Sequence, residues 1–340
     1  MTVGEQVDKT GLVADWFERR SYEHSCFGDS ALLARRKREL SLSVSVVLPC
    51  REVASTVGEI IDAVRLLNER TPLVDQIVAV DAGSADGTAA IAAARGAEVY
   101  LEDELMDRFG PAVGKGDAMW RALAVARGDV VLYLDADTLE FGAHFVPGLL
   151  GPLLEVPGVR FVKAAYRRIW NVEEDGGRVT ELAAKPLFNV FYPELTGFAQ
   201  PLAGEVAATR ELLLSIPFFT GYAVEAGMMV DVLAAAGLPA MAQVDLGTRR
   251  HLPQSIFELG RMSYAVVRAI ECRLRQEGRL REPRSAAPSK LIAETDGYLH
   301  ARRSGESLRL DHHVVEVIER PPMIEVMEPP VAAGAGKTPT

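Results

Sequence analysis

The chain has 340 residues and carries 37 Lys and Arg against 47 Asp and Glu, a net charge of −10. That balance excludes the basic face on which a nucleic-acid binder holds phosphates, and 48% apolar with 25% charged residues excludes global disorder. No apolar run approaches the roughly 20 residues of a membrane span, and the first twenty residues mix acids and bases around no apolar core, unlike a secretory signal. Cys26, Cys50 and Cys272 are odd in number and widely spaced, which fits a reducing cytoplasm better than a disulfide framework or a zinc site.

Residues 1–42 read as a charged, weakly periodic helical arm. The core opens over residues 43–49, a β-branched apolar run that Pro49 is expected to stop. Val53, Val57, Ile60, Ile61, Val64 and Leu67 then recur at three- and four-residue steps, which predicts a helix. A strand over 76–81 ends at Asp81 and runs into the turn-rich Ala82-Gly83-Ser84-Ala85-Asp86-Gly87-Thr88. A helix over 88–94, a strand over 97–101, a helix over 117–126 and a strand over 130–134 continue the alternation. Strands alternating with helices need crossover connections, so the expected fold is α/β, a Rossmann-like, mostly parallel sheet covered on both faces. Beyond residue 150, strands over 161–166 and 243–246 mix with helices over 180–188, 225–236 and 255–276, a smaller α+β region. Residues 283–288 read as a linker and 329–340 as a disordered tail. The expected units are therefore 1–42, 43–150, 151–282, 283–328 and 329–340.

In an open α/β sheet, ligands bind beyond the carboxyl ends of the strands. Three of those ends are polar here: Pro49-Cys50-Arg51-Glu52, Asp81 to Ser84, and Asp135-Ala136-Asp137. Two carboxylates two residues apart at a strand exit suit a divalent cation held against a diphosphate, although a solvated turn has the same residues. Gly114-Lys115-Gly116-Asp117 lets backbone and ammonium approach a phosphate closely, or is a plain helix start. It is no Walker loop, because no Ser or Thr follows the lysine. The tail sequence Gly336-Lys337-Thr338 also fails, with Val331 where the first glycine belongs. Arg160, Lys163, Arg167 and Arg168, followed by Arg178 and Lys185, form a basic island that attracts an anion or simply faces solvent. His251 follows Arg249-Arg250, and a lone histidine is more often structural than a ligand.

Taken in order, these blocks resemble a nucleotide-sugar glycosyltransferase of the GT-A fold. Gly177-Arg-Val-Thr180, Gln200-Pro-Leu-Ala-Gly-Glu205, Pro217-Phe-Phe-Thr-Gly-Tyr222 with Glu225, and Arg320-Pro-Pro-Met323 are similar to the retaining glucosyl- and mannosyl-3-phosphoglycerate synthases of actinobacteria. The likeness covers about residues 43–325. It implies that Pro49, Cys50, Arg51, Glu52 and Ser84 line the nucleoside pocket, with Asp81 at the base or ribose. It places Lys115 at the diphosphate, Asp135 and Ala136 at the ribose, and Asp137 with His251 on Mg²⁺ or Mn²⁺. Glu225, beside Tyr222 and Met228, would bind the donor sugar, while Gly177, Arg178 and Thr180 would hold 3-phosphoglycerate. Asp137, Glu225 and Lys115 carry the catalysis in this scheme, and a homodimer is implied, with residues 255–276 and the C-terminal segment as contacts.

The expected reaction moves mannose from GDP-mannose or glucose from UDP-glucose onto 3-phosphoglycerate, a step toward a compatible solute. One block departs from the glucosyl enzymes: Arg51-Glu52-Val53 stands where they carry Leu-Asn-Glu. A carboxylate there can accept from guanine, so GDP-mannose is expected to serve at least as well as UDP-glucose. The alternatives are a strictly UDP-glucose-specific enzyme and a non-catalytic sugar-nucleotide binder. A nicotinamide dehydrogenase fails, since no Gly-x-Gly-x-x-Gly follows the first strand.

Overall fold

A computed structural model describes residues 9–169, 177–250, 255–280, 297–304 and 307–327. The chain opens with α1 (Lys9–Arg20), β1 (Ser21–Glu23) and α2 (Ser30–Glu39), then alternates β2 (Val44–Cys50), α3 (Val57–Arg70), β3 (Gln76–Asp81), α4 (Thr88–Ala94) and β4 (Glu98–Leu101). Next come α5 (Gly114–Ala122), β5 (Val130–Tyr133), α6 (Phe145–Glu155), β6 (Phe161–Ile169), α7 (Lys185–Phe191), β7 (Val206–Thr209) and α8 (Arg210–Ser215). The last part holds β8 (Phe218–Phe219), α9 (Val224–Ala236), β9 (Met241–Arg250), α10 (Ile256–Gln276), β10 (Gly297–Ser304), β11 (Ser307–Val314) and β12 (Glu319–Arg320).

Eight strands form one sheet in the order β1-β9-β6-β7-β5-β2-β3-β4. Only β7 runs antiparallel to its neighbours, β5 and β6. The central strands are apolar on both sides because both sides are covered. Val47, Tyr133, Phe161 and Val206 face a core completed by α5, α8, α9 and α10. Val46, Leu48, Leu132 and Val162 face the other, closed by α2, α3 and α6. This is the GT-A-type arrangement, and the sheet runs unbroken across residue 150. Two small antiparallel pairs, β10 with β11 and β12 with β8, stand apart from it.

The structure corrects several expectations. Pro49 lies inside β2, paired with Val80 of β3; the β5 ladder ends at Val47, so the missing N–H costs no bond on that side. Helix α5 begins at Gly114, which puts Gly114-Lys115-Gly116 in its first turn rather than ahead of it. The N-terminal segment also adds a strand to the sheet: β1 lies beside β9, and Trp16 Nε1 donates to Met241 O at 2.9 Å. Residues 283–288 and 329–340 lie outside the described residues.

Candidate active site

A cleft of about 840 Å³ opens at the carboxyl ends of β2 and β5. The chain leaves β2 toward β3 on one side and returns as β5 on the other, the switch point at which such sheets bind ligands. Pro49, Cys50, Arg51, Glu52, Lys115, Asp135, Ala136, Asp137, Gly177, Arg178, Thr180, Tyr222 and Glu225 all line it. Residues that the sequence assigned to donor and acceptor thus share one cavity.

Its centre is an ion cluster. Lys115 Nζ donates to Asp135 Oδ1 and to Glu225 Oε1, the latter at 2.9 Å. Arg249, on β9, closes the other side: Nη1 meets Asp135 Oδ2 at 3.0 Å and Glu205 Oε1 at 2.7 Å, and Nη2 meets Asp137 Oδ1 at 3.1 Å. Tyr166 OH donates to Glu205 Oε2 at 3.0 Å and accepts from Arg249. Thr56 Oγ1 donates to Ala136 O at 2.6 Å, and Thr138 Oγ1 to Asp135 O at 3.0 Å, so the turn carrying both aspartates is pinned from either end. A Cβ on Gly204 would lie 2.1 Å from Asp135 Oδ1 and 2.3 Å from Lys115 Nζ, so a larger residue there would displace the pair.

Burial pushes the Asp135 carboxyl up, but Lys115 and Arg249 outweigh it and hold the group well below the usual carboxylate range. Burial likewise lowers the Lys115 ammonium, and Asp135 with Glu225 more than reverses that. Glu205 goes the other way, raised by burial that Arg249 only partly offsets. Lys163 lies beneath, 1% exposed, its ammonium lowered to about 8 by burial.

The nucleoside end is a loop held by its neighbours. Ser84 donates to Asp81 through N at 2.9 Å and Oγ at 2.7 Å, and accepts from Glu52 N at 2.8 Å. Thr88 Oγ1 and Asp86 Oδ2 accept from Val53 N and Ala54 N, each at 2.9 Å. Asp81 and Ser84 are therefore not among the cleft-lining residues: their polar atoms are spent on the loop that carries Arg51 and Glu52. Glu52 itself sits at φ +52°, with Oε1 accepting from Ala85 N at 2.8 Å. Burial, then Asp81 and Asp86, pushes the Cys50 thiol up to about 12, so it is no nucleophile.

Met228 also departs from its expected place, packed 3% exposed in the core on α9 instead of lining the cleft. His251 lies outside the described residues. The basic island dissolves: Arg160 pairs with Glu211 at 3.2 Å, Lys185 with Glu181 at 2.6 Å, and Lys163 is core. Of that group only Arg178 reaches the cleft among the described residues. Sequence reasoning missed Glu205, Arg249, Tyr166 and Glu102; the first two stand in motif blocks already singled out, while Tyr166 and Glu102 carry no local signal.

The residues fit a divalent cation. Asp135, Asp137, Glu205 and Glu225 gather around Lys115 and Arg249, with Lys163 buried beside them. Asp137, with its side chain 73% exposed in the cleft wall, offers a hard oxygen donor.

Comparison with known proteins agrees with this geometry. Residues 45–175 match glycosyl transferase family 2. A glucosyl-3-phosphoglycerate synthase of Petrotoga mobilis is 35% identical over 316 residues, 91% of this chain and 95% of that protein. The crystal structure of mannosyl-3-phosphoglycerate synthase from Rubrobacter xylanophilus superposes with a TM-score of 0.86 at 60% identity, covering 93% of this chain and 98% of that one. Glucosyl-3-phosphoglycerate synthase from Mycobacterium tuberculosis, solved with Mn²⁺, UDP-glucose and phosphoglyceric acid, gives 0.73 at 36% identity over 87% and 94%.

Proposed function

The chain belongs to the hexosyl-3-phosphoglycerate synthases, GT-A-type members of glycosyl transferase family 2, and on that premise we propose that it transfers mannose, and with it glucose, to 3-phosphoglycerate. The observation that carries this reading is the shared cleft, where the Lys115–Asp135–Glu225 cluster faces Arg178 and Thr180 across one 840 Å³ cavity.

Asp137, with His251, would hold Mg²⁺ or Mn²⁺, which when bound neutralises the leaving diphosphate. Lys115 adds a fixed ammonium to that end of the site, already oriented by Asp135 and Glu225. Glu225 Oε1 is committed to Lys115, which leaves its other oxygen for a sugar hydroxyl and makes it a poor attacking group. With no carboxylate free to attack, the retention that the family resemblance implies would proceed by front-face attack. The acceptor hydroxyl bonds to the anomeric carbon as the bond from that carbon to the diphosphate oxygen breaks, and its proton passes to that departing oxygen. Arg178, with the backbone at Gly177 (φ +85°) and the Thr180 hydroxyl, anchors the phosphate or carboxylate of the acceptor.

Likeness to the mannosyl enzyme at 60% identity supports GDP-mannose as a donor at least as good as UDP-glucose. The product is a phosphorylated precursor of a compatible solute. Exposed Ile256 and Phe257 on α10, with Leu310 and Val314 on β11, support a homodimer, to be checked by light scattering. No helix among the described residues is long and apolar enough to cross a membrane. The deciding experiment is a donor-by-acceptor panel with nucleotide release measured: release that depends on 3-phosphoglycerate is expected, and release indifferent to it refutes the reading.

A further inference from the structure

Glu102 follows β4 at the nucleoside end of the cleft and is left unused by the transfer chemistry. It is 4% exposed yet lines the cavity, beside Arg51, Asp103 and Ala112. Its Oε1 is buried with no hydrogen-bond partner among the described residues. Buried carboxyl oxygens are ordinarily satisfied, and an unmet one is costly to keep.

The fold has a cation within reach and does not spend it here. Arg121 Nη1 donates to the backbone oxygen of Glu102 at 3.3 Å, and its other bonds go to Leu105 O, Gly110 O and Asp117. The neighbouring acid differs, because Asp103 Oδ1 already accepts from Ala112 N at 2.8 Å. Glu52, the acid that the sequence offers for base contact, has Oε1 occupied by Ala85 N. Glu102 is the acid in this wall whose acceptor capacity is both buried and unfilled.

We propose that Glu102 and Arg51 form a guanine-reading subsite for the nucleotide of the donor. The inference rests on the nucleotide-sugar reading above. Guanine presents one carbonyl acceptor, O6, beside two donors, N1–H and the exocyclic N2–H₂. A carboxylate accepts from both donors at once, and a guanidinium on the same wall donates to O6. Arg51 and Glu102 line the same cleft; burial and then Asp117 push the Glu102 carboxyl up to about 7, and the Arg51 charge pulls the other way. Uracil offers a single N–H between two carbonyl oxygens, so a carboxylate facing it meets acceptor lone pairs instead of a second donor. A site built to accept from a substrate N–H rejects analogues that lack it.

The test is calorimetric binding of GDP, IDP and UDP, each with Mn²⁺ and without acceptor. IDP keeps O6 and N1–H but lacks the 2-amino group. The wild-type protein is expected to bind GDP roughly tenfold or more tighter than IDP. Glu102→Gln should bring GDP down to the IDP level without weakening UDP. Arg51→Met should weaken GDP and IDP alike, since both carry O6; this exposed residue also supplies the result if Glu102→Gln does not fold. Equal wild-type affinity for GDP and IDP overturns the subsite, as does a Glu102→Gln protein that loses GDP and UDP in equal measure. Transfer is read separately. Glucose transfer from UDP-glucose without guanine discrimination refutes only the subsite, and discrimination without transfer refutes only the proposed function.

Discussion

Two clusters of buried charge lie on opposite sides of α5, and they are used differently. Lys115 and Asp117 are two residues apart on α5. Lys115 enters the cleft cluster, while Asp117, fully buried, receives Arg320 Nε at 2.9 Å and Nη2 at 2.7 Å, Val113 N at 2.9 Å and Arg121. Behind it Arg273 grips Asp231 with two bonds of 2.5 and 2.7 Å and Glu319 at 2.6 Å, over the ring of Phe219. These inner pairs fasten β12 and the C-terminal segment to α5 and α9, and Trp120 Nε1 adds a bond to Pro321 O at 2.8 Å. They are nearly saturated. The cleft cluster instead borders an open cavity and keeps an exposed carboxylate at Asp137. Buried charge alone does not mark a site; unfilled coordination capacity beside it does.

The comparison breaks most readily at Asp137. Asp137→Ala should lower kcat by about 10²–10³-fold, the usual loss when one transition-state contact is removed, and abolish the metal dependence of nucleotide binding. Its melting temperature should hold, because that side chain is 73% exposed. Full turnover with a chelator present would refute the metal role.

Arg320→Met reverses the pattern. It leaves Asp117 buried without its main partner, at a cost of about 3–5 kcal/mol, read as a lower denaturant midpoint. The folded fraction should retain its KM for both substrates, and Asp117→Asn added to Arg320→Met should recover part of the loss. An unchanged midpoint would mean that β12 contributes nothing to the fold. Arg178→Ala should raise the KM for 3-phosphoglycerate by roughly ten- to a hundredfold, as expected when a charged hydrogen bond to substrate is lost, with the donor KM little changed. An equal effect on both would assign Arg178 to the structure.

What could be read in advance follows the physics of each segment. Strands β2, β3 and β5 are apolar on both faces, so their runs stand out, and α9 and α10 follow from their helical spacing. Helix α6 does not, because Pro147, Gly148, Gly151 and Pro152 depress its intrinsic propensity. Packing overrides that: a Cβ on Gly151 would sit 2.1 Å from the Phe27 ring, so small residues are what let the helix dock. The acids at the strand exits were legible because a run of apolar residues points at them. Arg249 and Glu205 were not, since β9 and β7 come to β5 only through long-range pairing. Lys163 misled as part of a basic island because a buried lysine and an exposed one look alike in sequence.

Glu102 stands between the two clusters, lining the cleft yet coupled to Asp117, and the smallest predicted effect decides where it belongs. Burial and then Asp117 raise its carboxyl from 4.5 to about 7, against the pull of Arg121 and Arg51. The folded protein thus keeps a proton that the unfolded chain releases near pH 4.5. The stability this contributes is fully present below pH 4.5 and is lost as pH rises through about 7. Relative to Glu102→Gln, which does not titrate, the wild-type protein should lose up to about 3 kcal/mol across that window, the free-energy equivalent of the shift. Urea midpoints of the two proteins at intervals from pH 4.5 to pH 8 measure the difference directly. A declining difference means that the carboxyl is held without a counter-charge, as the cleft cluster's open capacity requires. A flat one means that Arg121 or Arg51 already neutralises it, which would place Glu102 with the saturated inner pairs.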